Sequence, residues 1–100
     1  MVNNISNTSL SAINAYGTML NNTANNIANV NTETYKALET TMQENVGGGV
    51  TATTSRTNAD RVDLSKEVVD MMIAKDGMQA NIAVVRTTSE TQKSVIDMLV

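Results

Sequence analysis

The chain has 100 residues and a formal net charge of -3, with seven Met and two Tyr but no Phe, Trp, Pro, Cys or His. Lacking Cys and His, it has no disulfide, thiolate zinc site, thiol nucleophile or imidazole base, and its few Lys and Arg do not make a nucleic-acid footprint. Neither an enzyme nor a cofactor or small-molecule binder is expected from this inventory.

So short a chain with so few large side chains struggles to bury a self-sufficient core. Met, the adaptable gap-filler, must supply much of what is buried. No apolar run approaches the ~18 residues of a membrane span, and residues 2–9, mostly Asn, Ser and Thr, do not read as a secretory signal. Charge is unevenly spread: residues 1–32 carry none, and Glu33 is the first. A solvated helix normally shows charge on its outer face, so this opening third suits a helix packed by neighbours on several sides. A weakly ordered polar terminus is the alternative.

From Leu10 onward, apolar residues recur at helical spacing. Ile13, Leu20 and Ile27 stand seven apart, with Leu10, Tyr16, Gly17 and Ala24 at the flanking positions three or four away, which predicts a short coiled-coil seam. The helix is expected to begin between Ile5 and Leu10, capped by Ser6, Asn7 or Ser9. It is expected to end near Asn29 to Asn31, where an Asn can adopt the left-handed stop. Gly17, costly by up to about 1 kcal/mol inside a helix, would admit another backbone closely or is merely tolerated. Asn22, Asn25, Asn26 and Asn29 form an amide stripe able to hydrogen-bond across an interface without charge. Asn also collects near helix ends for local reasons, and spacing alone favours that simpler explanation.

Tyr35 to Gln43 and Val50 to Arg56 are β-prone runs around Gly47-Gly48-Gly49, predicting a hairpin. An isolated hairpin is marginal in water, so it must lie against something. The Lys-Ser/Thr of a phosphate loop does not follow the glycines, which excludes that reading. Thr57 to Arg61 reads as a linker, and Asp60 or Asp63 as the cap of a second helix. Leu64, Val68, Met71, Lys75, Met78, Ile82, Val85, Ser89, Gln92, Ile96 and Leu99 then alternate four- and three-residue steps, a coiled-coil seam some five heptads long. Met72, Ile73 and Val95 fall off it and would leave a monomer sticky. The expected fold is mainly α: two long terminal helices pairing as an antiparallel coiled coil, joined by a short hairpin. Its parts are residues 1–34, 35–61 and 62–100.

These residues resemble the bacterial flagellar rod and hook axial proteins. The amino-terminal signature of that family, Asn-Asn-Ile-Ala-Asn-x-Asn-Thr-x-x-Tyr-Lys, is matched by Asn25, Asn26, Ile27, Ala28, Asn29, Asn31, Thr32, Tyr35 and Lys36. Ser11 to Tyr16 is similar to its preceding helix. Val62-Asp63-Leu64, Glu67, Val69 to Met72, Ala74, Ala80-Asn81 and Thr87 resemble its carboxyl-terminal signature. The chain departs from the pattern at Thr34, where Gly is usual, and at Met78, where an aromatic is common. It also lacks the outer domain carried by hook and distal-rod proteins. That shortness is most similar to a small proximal-rod subunit.

The resemblance implies a structural subunit of the flagellar basal body, packed with copies of itself and related axial proteins around a central channel. It also implies export by the flagellar type III apparatus without cleavage. Asn25, Asn26 and Asn29 would then join the inner-tube packing, with Ile13, Leu20 and Ile27 beside them. Leu64, Val68, Met71, Met78, Ile82, Val85, Ile96 and Leu99 would pack the helix pair and its neighbours. The alternative is a soluble coiled-coil adaptor or export-chaperone-like module that buries its Met-rich seam on a client. An enzyme would have to rely on acidic pairs such as Glu67/Asp70 or Asp60/Asp63, which suit a helix start better. The Asn-x-Ser/Thr sequons at Asn4, Asn7 and Asn21 are incidental in a chain without a secretory signal.

Overall fold

A computed structural model of the chain describes residues 2–58 and 62–99, with side chains from Ile5 onward. Helix α1 spans Val2–Ala28, strands β1 and β2 span Leu38–Glu44 and Val50–Arg56, and helix α2 spans Leu64–Leu99. The fold is mainly helical: two long helices pack together with an antiparallel hairpin between them in sequence. Ala12 approaches Asn81 across one cleft, and Tyr16 meets Gly77. Positions therefore descend on α2 as they ascend on α1, and the helices run antiparallel. The molecule extends 63 × 24 × 14 Å with a radius of gyration of 17.3 Å, against about 13 Å for a compact domain of this length.

The start of α1 differs from expectation. Ser6, Asn7 and Ser9 lie inside the helix, which already runs from Val2. Ser9 is buried, and the Ser11 hydroxyl donates to the Thr8 carbonyl one turn back. Its end differs too: no non-glycine residue among those described has positive φ. The helix instead tightens to a stop. The Asn29 amide is shared between the Asn25 and Asn26 carbonyls, Val30 N–H donates to Ile27, and the Asn29 side-chain amide caps the Asn25 carbonyl at 2.8 Å. At the other junction Asp63 caps α2, its Oδ1 accepting from Lys66 N–H at 3.2 Å. The other candidate cap, Asp60, lies outside the described residues.

The hairpin pairs Leu38 with Arg56 through Glu44 with Val50. Gly47, Gly48 and Gly49 turn it with φ of +93°, +106° and +91°, a region that L side chains rarely enter. Against Gly49 a Cβ would also meet the Ser11 hydroxyl at 3.0 Å. The inward residues Leu38, Thr40, Met42, Val50 and Ala52 alternate with exposed ones. Among the described residues both strands pack on α1, and neither packs its backbone against α2. The core is sparse: among the described residues the buried hydrophobic ones are Ala15, Ala37 and Ala74, and the largest fully buried side chain is an amide, Asn26.

Candidate functional site

Three faces of α1 do different things. One face lies under the hairpin and binds it with side-chain hydrogen bonds. Asn26 donates from Nδ2 to the Leu38 carbonyl at 2.8 Å, while its Oδ1 accepts from Leu38 N–H and from the Tyr35 hydroxyl, both at 2.8 Å. The side chain is 0% exposed, so this amide replaces a neighbouring strand at the base of β1. The geometry matters because an unpaired buried amide would cost about 1–3 kcal/mol. One turn earlier, Asn22 donates to the hydroxyls of Thr40 and Thr54, 2.8 and 3.0 Å away. These two Thr are cross-strand partners, so a single amide ties both strands to the helix. Near the tip, Ser11 Oγ accepts from Val50 N–H at 3.0 Å. Arg56 closes the base, lying 5.5 Å from the centre of the Tyr35 ring and donating to the Lys36 carbonyl at 2.9 Å.

A second face meets α2. Ile13, Leu20 and Ile27 are half-buried along it, on the side of Tyr16 and Gly17. On α2 a stripe of Glu67, Met71, Ala74, Met78, Asn81, Val85 and Thr88 turns inward, with Asp70 and Gly77 half-buried beside it. That stripe also alternates four and three, yet it only partly coincides with the expected one. Met71, Met78 and Val85 are shared. The row of Val68, Lys75, Ile82 and Ser89 is exposed, as is Leu64 at the start of the other row, and Glu67, Ala74, Asn81 and Thr88 take the exposed row's place, each seven residues from the next. Leu64, Val68 and Ile82 are 47%, 45% and 41% exposed, and so do not carry the helix-pair seam. Small side chains decide the rotation. Ala74 is fully buried, and a Cβ on Gly77 would run into the Tyr16 ring. The glycine that needs close approach is thus Gly77, which the periodicity did not single out. Gly17 only receives the Met78 methyl, 3.6 Å from where its Cβ would be.

The amide stripe divides in the same way. Asn22 and Asn26 are buried, Asn29 closes the helix end, and Asn25 is exposed. Asn25 therefore takes no part in packing within the chain. Ile96 and Leu99 are 59% and 81% exposed. Leu99 continues the inward stripe of α2 past Gln92, where the pairing with α1 runs out, and Ile96 continues the exposed row of Val68 and Ile82. Among the described residues two buried side-chain oxygens have no hydrogen-bond partner: Thr57 Oγ1, just past β2, and Glu67 Oε2, in a side chain 3% exposed, a cost left standing within the helix interface.

Between β1, α1 and α2 lies a cleft of about 300 Å³, lined by Ala12, Ala15, Tyr16, Met42, Glu44 and Asn81. It brings together the Glu44 carboxylate, the Tyr16 phenol and the amides of Gln43 and Asn81, with neither a nucleophile–base pair nor a basic clamp for an anion. Among the described residues no group of three or more His, Cys, Asp or Glu comes together as a metal site, and no helix is long and apolar enough to cross a membrane. What the surface offers is apolar area. Val68, Val69, Met72 and Ile73 are 45–60% exposed in the first third of α2, and Val95, Ile96, Met98 and Leu99 are 50–85% exposed at its end. No protein-family model matches the chain, and no curated protein matches it.

Proposed function

We propose that the chain is a structural subunit of the bacterial flagellar basal-body rod, assembling by helix packing with copies of itself and related axial proteins. The observation that carries this reading is the unpartnered apolar surface of α2. That helix is about 54 Å long, and it exposes Val69, Met72 and Ile73 on one side and Val95, Ile96 and Leu99 beyond α1. The accessible surface of 7062 Å² exceeds the roughly 5500 Å² of a compact monomer of this mass. The excess is about twice the ~800 Å² that a standard protein interface buries on each partner.

The motif residues support the same reading. Asn26 and Tyr35, two positions of the family signature resembled here, form the clasp that fixes the hairpin to α1. Thr34, where that family usually has Gly, fits a turn made without positive φ. In this role no side chain performs chemistry; the product of the fold is a stiff rod with sticky faces. Export through the flagellar apparatus and a place in the basal body belong to the same proposal.

Sedimentation velocity across a concentration series, with negative-stain imaging of the fast fraction, tests it. Met72 is 60% exposed, so Met72→Asp leaves the fold intact while placing charge on the packing surface. Growth into large elongated species that Met72→Asp abolishes is the expected result. A single small species at every concentration would refute self-assembly and favour the adaptor reading.

A further inference from the structure

The hairpin leaves one strand edge open in a way that matches a third, uncharged face of α1. In the antiparallel ladder, hydrogen-bonded pairs alternate with non-bonded ones. Thr57 N–H donates to Ala37 O at 2.9 Å, and Asn45 N–H to Gly49 O at 3.0 Å. The bonded pairs are therefore the odd-numbered ones, and the even-numbered residues direct N–H and C=O outward. Two side-chain contacts agree: Leu38 N–H goes to Asn26 and Val50 N–H to Ser11, neither to the opposite strand. On β2 this leaves Ala52, Thr54 and Arg56 with outward backbone groups, below a position that Ser11 has already closed.

The edge of β2 lies on the side of α1 away from α2. A shallow cleft there is lined by Asn14, Thr18, Val50, Thr51 and Ala52, whereas the cleft beside β1 reaches α2 at Asn81. The face of α1 on this side consists of Leu10, Asn14, Asn21, Ala24, Asn25 and Ala28, all exposed. It bears no charge over its whole length.

We infer that this combined surface, the β2 edge with the amide face of α1, docks on the same surface of a second copy about a two-fold axis at Thr54. Antiparallel β2–β2 pairing then matches Thr54 with itself and Ala52 with Arg56 on both sides of the axis. All three open positions are used, and the pairing stops where Ser11 holds Val50. The resulting four-stranded sheet spaces the two hairpins by two strand separations, about 10 Å. That sets the two α1 helices at a packing distance, which is about 8–10 Å. Asn22 bonds Thr54 at 3.0 Å, so the helices cross near Asn21, where amides and alanines meet their own copies without like-charge repulsion. The two Arg56 guanidinium groups lie at opposite ends of the paired segment. A symmetric pair of this kind is closed. It uses neither Met72 nor the end of α2, so it goes beyond the axial-subunit reading and does not rest on it.

Sedimentation equilibrium of the full chain, together with amide hydrogen exchange, tests the pair. The expected species has twice the 10.7 kDa chain mass. The amides of Ala52, Thr54 and Arg56 should exchange fast when dilute and slow by about tenfold or more on association, while Thr53 and Ser55, bonded within the chain, change little. Ala52→Pro removes an outward N–H without touching the hairpin ladder, and Asn21→Glu sets like charges at the axis. Each should weaken association by about tenfold or more with the circular dichroism unchanged. Should Ala52→Pro disturb the fold, Asn21→Glu decides. A monomer at every concentration overturns the inference. So does association that Asn21→Glu leaves at wild-type strength, or an associated species in which the three β2 amides still exchange fast, as when another strand edge or a different face is used. Large species that persist in Asn21→Glu but vanish in Met72→Asp separate the axial assembly from this pair, and count against the pair if the β2 amides stay unprotected.

Discussion

The two faces by which α1 holds the rest of the chain are built on opposite principles. Towards the hairpin it uses directed bonds: Asn22, Asn26 and Ser11 each reach a defined partner at 2.8–3.0 Å. Towards α2 it uses shape, with Gly77 under the Tyr16 ring, Ala74 fully buried and Met78 as filler. Directed bonds fix one register and fail abruptly when a partner is lost. A seam of small and flexible side chains fixes distance but tolerates sliding and turning, because Met repacks at little cost. The hairpin is thus locked to α1, while α2 is held more by proximity than by specificity. An assembling subunit that must adjust its outer helix to neighbours would benefit from that division.

The sharpest way to break the contrast is Asn26→Leu. The branched four-atom skeleton is kept, but Leu38 N–H, Leu38 C=O and the Tyr35 hydroxyl lose their partner together, at about 3 kcal/mol. With a melting shift of about 4–8 °C per kcal/mol for a chain of this size, thermal denaturation should show a drop on the order of 15 °C. A loss under ~1 kcal/mol would mean that the clasp contributes little.

Gly77→Ala probes the other face. The added methyl enters the Tyr16 ring, an overpacking cost of about 1–3 kcal/mol, partly offset by nearly 1 kcal/mol of helix propensity. In urea melts the single substitution should destabilise by about 1 kcal/mol. In a Tyr16→Ala background, with the ring gone, Gly77→Ala should become stabilising. Unchanged sign would show that shape at this contact does not control the helix distance.

The smallest effect concerns charge. The hydrogen bond to Asp70 is the main cause that raises the Lys66 pKa above its ordinary 10.5, against the opposing effect of partial burial. Its raised folded value means the pair stabilises the fold fully below pH 10.5 and stops doing so as pH climbs through that value. Lys66 is 56% exposed, so screening holds the gain to about 0.3–0.5 kcal/mol. Comparing wild type with Asp70→Asn in urea melts, the difference seen at neutral pH should vanish once the pH has risen past the raised Lys66 pKa.

Much of this architecture was legible in the amino acids. The glycine run marked the turn, the β-prone runs marked its strands within a few residues, and the apolar period marked both helices. The seam of α2 was legible by half. Met71, Met78 and Val85 belong to both possible stripes, and the choice between Val68/Ile82 and Ala74/Asn81 rests on which row lets the backbones approach. Counting apolar residues selects the first row. Gly77, one turn from Ala74, and Lys75 standing in the apolar row were the signals for the second. The clasp at Asn26 was hidden more deeply, since nothing local to an Asn near a helix end tells that its amide will meet a strand twelve residues later. Only the closed hairpin, folded back onto α1, brings Leu38 within reach.

The scarcity of aromatic residues has an optical consequence. The chain's only near-ultraviolet chromophores of note are Tyr16 and Tyr35, and the fold places one in each of the contrasting interfaces. Tyr16 lies against Gly77 between the helices, and Tyr35 gives its hydroxyl proton to Asn26 beneath Arg56. The native protein therefore carries an intrinsic reporter for each contact. Replacing either ring hydroxyl with hydrogen leaves the spectrum of the other to follow its own interface through unfolding or association.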